Sequence, residues 1–248
     1  MLALVVAATL AASPVPAASP VPAGTRQMLL AIAPGWDATS ATLRAYERPS
    51  TSAPWRAVGP AFPASLGRSG LAWGRGLHPA GLVGPRKREG DGRSPAGIFE
   101  LRAVTGYAET PPEGSRLPYR AASSRLLCVD DPRSSHYNAL VDTAEVAGDW
   151  SSAEEMRRAD ALYQYVVWVG HNDRPVEAGG GSCIFLHLRS SPAAVTAGCT
   201  AFEPAAMEWL LRWLDPAARP LLVQLPESER RARAAAWGLP EAGSAAER

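Results

Sequence analysis

Ser182-Cys183-Ile184-Phe185-Leu186-His187-Leu188, followed shortly by Thr196-Ala197-Gly198-Cys199, is the stretch that decides the reading of this chain. The first seven residues form a nearly continuous apolar run of strand length. Such a run predicts a central strand buried on both faces, not a half-exposed edge. A second run, Tyr165-Val166-Val167-Trp168-Val169-Gly170, has the same character, and the Gly-rich turn Glu177-Ala178-Gly179-Gly180-Gly181 lies between the two. The pair therefore predicts two neighbouring strands at the centre of a sheet.

Upstream, Gln27 to Ala33 reads as a buried strand and Ala41 to Glu47 alternates at period two. The turn cluster 48–54 and strand-like Trp55 to Val58 follow, then the turn 67–70 and Leu71 to Trp73. Short strands at this spacing are the signature of a β-meander. Residues 84–100 form a Gly/Pro and charge-rich loop that runs into strand-like Ile98 to Leu101, and polar 128–138 leads into Ala139 to Val141. Ser151 to Tyr163 is expected to be a helix, with Ser152 as N-cap and Glu155 three residues on completing a capping box. After Cys199, Pro204 opens the clearest helix: Met207, Leu210, Leu211 and Leu214 fall on one face. Asp215-Pro216 ends it, and Pro220 to Leu225 is a last strand.

The bulk numbers suit this strand-rich reading. Of 248 residues, 46% are hydrophobic and 20% charged, enough for one globular core. The 22 glycines and 23 prolines predict many turns and exclude a long helical bundle. With 25 basic against 24 acidic residues, neither nucleic acid nor an anionic membrane is indicated as partner. Residues 1–23 read as a signal peptide or an Ala/Pro-rich leader: a short apolar run with no Lys or Arg before it, then small residues and prolines. The run is too short to span a bilayer, and no later stretch is long and apolar enough. The expected organisation is thus a leader over 1–23, one domain over 24–226 and a charged tail over 227–248, exposed helix or frayed. The expected location is outside the cytoplasm, in the periplasm or cell envelope.

Three cysteines, Cys128, Cys183 and Cys199, leave at least one thiol outside any disulfide. If Cys128 pairs with Cys183, Cys199 is free. If Cys183 pairs with Cys199, no enzyme of the kind considered below is left, and the sequence leaves both pairings open. A free Cys199 has the equipment for acyl transfer. A thiol with an ordinary pKa near 8.5 is mostly protonated at neutral pH, and a histidine within reach can take its proton and later return it to a leaving amine. His187 lies twelve positions upstream, within the reach of one loop. Gly198 permits close backbone approach, and the amides of Gly198 and Cys199 are candidate oxyanion donors. Zinc is not indicated: Cys-x-x-Cys and His-Glu-x-x-His are both missing.

The order of His187 and Thr196-Ala197-Gly198-Cys199 resembles the L,D-transpeptidase catalytic domain, the YkuD-like family of cell-wall enzymes, in which a strand-borne His precedes a Ser/Thr-x-Gly-Cys loop. A second match lies at Gly90-Asp91-Gly92-Arg93-Ser94-Pro95-Ala96-Gly97-Ile98-Phe99, similar to the family's Gly-Asp-x-x-Ser/Thr-Pro-x-Gly-x-Phe/Tyr segment. Cys128-Val129-Asp130-Asp131-Pro132 and Tyr137-Asn138 resemble a divergent branch. The resemblance implies a mainly β (α+β) fold, a β-sandwich of mixed sheets with a few peripheral helices. It implies that Cys199 is acylated by a peptidoglycan stem peptide, with His187 as base and acid, and that Thr196 and Gly198 shape the oxyanion loop. No cofactor is implied, and the His is oriented by a backbone carbonyl. The acyl group would pass to an amine of another stem, to a protein lysine or to water.

This chain departs from the commoner pattern at Ala197 and Ala201, where the family has His and Arg, and at Leu188 in place of Gly. The missing Arg removes an anchor and raises hydrolysis, or attachment to another acceptor, beside cross-linking. A papain-like or NlpC/P60-like peptidase is opposed by chain order, since there Cys precedes His. A non-catalytic wall-binding module is the remaining alternative. Among the other residues, His171 either lines the same cleft or is a solvated loop histidine, and Arg93 either binds a substrate carboxylate or serves its turn. Asp91, Asp130 and Asp131 read as turn formers. Trp209 and Trp213 share a helix face as packing residues.

Overall fold

Strand β5 (Ser94–Gly106) is the hinge of the architecture in the computed structural model, which describes residues 19–241. Of the expected leader, residues 1–18 lie outside the described residues, as does the end of the expected tail. The chain opens as the predicted meander: β1 (Gln27–Ala33), β2 (Ser40–Glu47) and β3 (Arg56–Ser65) pair antiparallel in sequence. Short β4 (Leu71–Trp73) runs parallel to the start of β5, and β6 (Tyr119–Ala121) parallel to its end. The two predicted central strands are β10 (Tyr165–Val169) and β11 (Phe185–Leu188), paired antiparallel. Beyond them lie β12 (Thr200–Phe202), parallel to β11, and β13 (Leu221–Pro226), parallel to β1.

β5 pairs with β13 through Gly97 to Glu100 and with β10 through Leu101 to Gly106. The main sheet, in the order β10-β11-β12-β3-β2-β1-β13-β5, therefore closes on itself. Closure removes the free edges that an open sheet would leave. A separate antiparallel sheet, β8 (Leu140–Asp142), β7 (Leu126–Val129) and β9 (Ala153–Glu155), lies outside it. The architecture is the mainly β, mixed-sheet fold with few helices that was expected. Helix α1 (Pro204–Trp213) has Pro204 in its first turn and buries Met207, Leu210 and Leu211, as its spacing predicted. Trp209 and Trp213 stack on each other at 5.6 Å, and Trp209 packs on Phe62.

The double burial of β11 explains its unbroken apolar run. Leu186 and Leu188 belong to the main core, whereas Phe185 points the other way, into a smaller core with Leu126, Met156, Tyr163, Val166 and Cys199. Successive strand residues face opposite sides, so one strand contributes to both cores. The small sheet covers this second core and is stapled to the chain just before β11 by a disulfide, Cys128–Cys183. Of the two pairings open in the sequence, this one leaves Cys199 as the free thiol.

One expectation is corrected. Residues 151–163 are not a helix but turns around the three-residue strand β9. Ser151 donates from both its amide and its hydroxyl to Asp131 (2.9 and 2.7 Å), and Glu154 pairs with Cys128 of β7. Long-range strand pairing thus outweighs a capping box, which is a local preference of about 1 kcal/mol. Of the two forms expected after 226, the described residues take the helical one. Helix α2 (Glu227–Trp237) ends on Gly238 in left-handed conformation, and Trp237 is buried against Trp73 and His78.

Candidate active site

Cys199 is positioned by the parallel register of β11 and β12. Leu186 faces Thr200 and His187 faces Ala201, which sets Cys199 beside Phe185 on the face that carries His187. The Phe185 amide donates to Cys199 Sγ at 3.3 Å, and Sγ donates to the Cys183 carbonyl at 3.5 Å. Both Cys199 and His187 are 7% exposed and line one cleft of about 480 Å³. No hydrogen bond joins their side chains among the described residues.

His187 Nδ1 lies 2.7 Å from the Leu188 carbonyl. A carbonyl only accepts, so Nδ1 carries the proton and Nε2 is left as the basic nitrogen. The Tyr163 ring stands edge-on to the imidazole at 5.1 Å and holds its plane. Burial depresses the His187 pKa to about 4. Burial, and then the Glu154 carboxylate, push the Cys199 thiol well above its ordinary value. The Phe185 amide, Lys87 and Tyr163 pull the other way. The empty site therefore holds a neutral thiol and a neutral imidazole.

The loop before Cys199 is clamped from two sides. Thr196 Oγ1 donates to the Cys199 carbonyl at 2.6 Å and accepts the Gly198 amide at 3.1 Å. Buried Ser94 Oγ donates to the same carbonyl at 2.8 Å and accepts the Gly67 amide. Backbone bonds between Thr196 and residues 66 and 68 complete the clamp. At Gly198 a Cβ would approach the Arg93 carbonyl to 3.2 Å, so the loop packs too closely there for a side chain. The Gly198 amide is thus already occupied, whereas the Cys199 amide has no acceptor among the described residues.

Two sequence-stated candidates do not reach the cleft. His171 is 1% exposed: its Nδ1 accepts the Arg75 amide at 3.2 Å and its Nε2 lies 3.1 Å from the Gly180 carbonyl. It is neither a cleft residue nor a solvated one, because both ring nitrogens are bound by backbone. The Arg93 guanidinium donates to the Leu71 carbonyl and pairs with Asp37, away from the lining of the Cys199 cleft. Asp91 accepts the Arg93 amide, as a turn former should, and also holds the buried Lys87 ammonium at 2.7 Å.

Four residues of the site escaped the sequence reading. Ser94 stood inside the quoted motif without a role of its own. Tyr163 and Glu154, joined by a 2.6 Å hydrogen bond, lay in the segment expected to be helical. Lys87 also lines the cleft. Among the described residues no group of three or more His, Cys, Asp or Glu is placed to hold a metal ion, and no helix is long and apolar enough to cross a membrane.

A free thiol next to a strand-borne imidazole with a backbone orienter, on a closed mixed β-sheet, has the layout of a cysteine–histidine acyl-transfer site. The model of the L,D-transpeptidase catalytic domain (YkuD) matches residues 39–223. The chain belongs to that family. No curated protein and no solved structure matches the chain.

Proposed function

We propose that this chain is an exported, peptidoglycan-modifying acyltransferase that forms a thioester between Cys199 and a stem peptide. The observation that carries the reading is the register of β11 and β12, which brings the one free cysteine and His187 into a single cleft. Sγ attacks the carbonyl carbon of the stem-peptide amide while its proton passes to His187 Nε2. The C–N bond breaks, and the histidine gives that proton to the departing amine of the terminal D-alanine. An amine or water then attacks the thioester and loses a proton to Nε2, and the C–S bond breaks as that proton passes from Nε2 to the departing Sγ, which restores the thiol. The Cys199 amide stabilises the oxyanion in both halves, a contribution of about 10²–10³ in rate for one donor.

The disulfide supports an oxidising compartment, hence export to the periplasm or envelope. Ala201 supports a second outcome for the acyl group. It is buried directly opposite His187 and brings no cation to the site, so release to water, as a carboxypeptidase, stands beside cross-linking.

The test is intact mass spectrometry of wild type and Cys199→Ala with purified tetrapeptide muropeptides, followed by analysis of the muropeptides. An acyl adduct and dimers made only by the wild type establish transpeptidation. Loss of terminal D-alanine without dimers establishes the hydrolase. No adduct and no change in the muropeptides would sink the proposal and leave the non-catalytic module.

A further inference from the structure

Among the described residues, Arg68 is the one cation of the Cys199 cleft without a partner. The other two are matched: Lys87 Nζ holds Asp91 at 2.7 Å and also donates to the Arg88 carbonyl, and Arg158 pairs with Asp160 at 2.8 Å. The Arg68 guanidinium meets no carboxylate and donates no hydrogen bond among the described residues. A guanidinium carries five N–H donors and no acceptor, so this fork is left open.

The chain holds Arg68 beside the nucleophile loop. Gly67 bridges to Thr196, and the Arg68 amide donates to the Thr196 carbonyl at 2.9 Å. The Gly70 amide closes the turn on the Gly67 carbonyl at 2.8 Å. The Gly67 amide meets Ser94 Oγ, which in turn donates to the Cys199 carbonyl, so one side chain links the Arg68 turn to the peptide that carries Sγ. The Arg68 side chain is seated as well. It lies over Gly92, where a Cβ would come within 3.0 Å of its Cγ, Nε and Cζ. The residue is nonetheless exposed, and it lines the cleft.

The donor proposed above brings the complement to this fork. D-Alanine leaves from the end of a stem, so a carboxylate sits on the carbon bonded to the scissile nitrogen. During attack it must lie within about one residue of the reacting carbonyl, roughly 3.8 Å of chain. Asp130 and Glu154, which line the cleft from the small-sheet side, repel such a group, and Glu89 is occupied by the Tyr137 and Ser182 hydroxyls. The Arg68 fork can receive it through two parallel N–H···O bonds.

We propose that Arg68 is a specificity-determining residue: its guanidinium receives the terminal carboxylate of the donor stem. The cleft thereby selects a peptide that ends in a free acid over one that is capped as an amide or continues. This inference rests on the reading of the cleft as the site that takes the stem peptide.

The experiment uses two synthetic stem tetrapeptides that differ only in ending in D-alanine or in D-alaninamide. Their affinities are measured by calorimetry on Cys199→Ala protein, where nothing turns over, with Arg68 intact, with Arg68→Gln and with Arg68→Lys. With Arg68 intact the acid should bind about tenfold more tightly than the amide, between the value of an exposed ion pair and that of a sheltered charge-assisted one. The ratio should fall to about one in Arg68→Gln. Arg68→Lys, which keeps the charge and loses the fork, should lie between the two. Damage to the loop would weaken both peptides alike and leave the ratio unchanged, so the ratio reads the anchor and not the fold. Equal affinities with Arg68 intact, binding of neither peptide, or an undiminished ratio in Arg68→Gln overturns the proposal. The comparison with Arg68 intact needs no Arg68 variant to fold. Intact mass of the protein with Cys199 in place then separates the two readings. A tenfold binding ratio without an adduct on Cys199 keeps the anchor and removes the nucleophile; an adduct with a ratio of one does the reverse.

Discussion

Ser94→Ala removes the one hydroxyl that ties β5 to the nucleophile loop. In the native structure Ser94 is fully buried, accepts the Gly67 amide at 2.8 Å and donates to the Cys199 carbonyl at 2.8 Å. Its loss strands the Gly67 amide, a buried unsatisfied donor worth about 1–3 kcal/mol. The Cys199 carbonyl keeps Thr196, so that end loses only about 1 kcal/mol. The sum, about 2–4 kcal/mol, corresponds to a melting temperature lower by roughly 10 °C in a domain of this size. Acylation should slow as well, by up to about a hundredfold, because the carbonyl fixes the peptide plane that carries Sγ. Thr196→Val is the comparison. It removes the other donor to the same carbonyl and the acceptor of the Gly198 amide, but at a half-buried site where water can replace both, and should lower stability by only about 1 kcal/mol. Urea unfolding and calorimetry of the three proteins measure the differences. A Ser94→Ala protein within about 0.5 kcal/mol of wild type, or less affected than Thr196→Val, would refute the reasoning.

Acid should destabilise the protein before its carboxylates titrate. Burial lowers His78 and His187 from 6.5 to about 4 and His171 to about 3, so the unfolded chain binds protons more readily than the folded one. Stability from these groups is complete above about pH 6.5 and is lost as pH falls from there to about 4, and for His171 to about 3, the loss having reached about 2 kcal/mol per imidazole at pH 5. Equilibrium unfolding at pH 7.5, 6 and 5 gives the slope; a flat profile would contradict the burial of all three. Asp149 and Glu227, held at about 2 by their hydrogen-bonding partners, release their contribution only at lower pH. Reduction of Cys128–Cys183 opens a loop of 55 residues, which corresponds to about 4 kcal/mol in the chain-entropy picture. Melting with and without a phosphine reductant reads it, and an unchanged melting temperature would show that the small sheet holds without its staple.

The sequence by itself determined those parts whose signal is local. The apolar run 182–188 is legible because β11 is buried on both faces, and the face of α1 because Met207, Leu210 and Leu211 recur at helical spacing. His187 and Cys199 could be paired on paper because one loop separates them and two motifs stand in order. Other features were decided by contacts between segments far apart in the chain. Ser151 to Tyr163 has helical spacing and a capping box, yet Asp131 and β7 draw it into turns and a strand. That displacement is what brings Tyr163 and Glu154 into the lining of the Cys199 cleft. Arg93 and His171 carry the right chemistry for a substrate site, but the Leu71 carbonyl and the Arg75 amide claim them first. The same holds for the cysteines: three thiols allow more than one pairing, and only the packing of β7 against the lead-in to β11 leaves Cys199 free. Periodicity and motif spacing report how a segment presents its faces. Which group meets which across a closed sheet is set by strand register and long-range pairing, and these have no local signature.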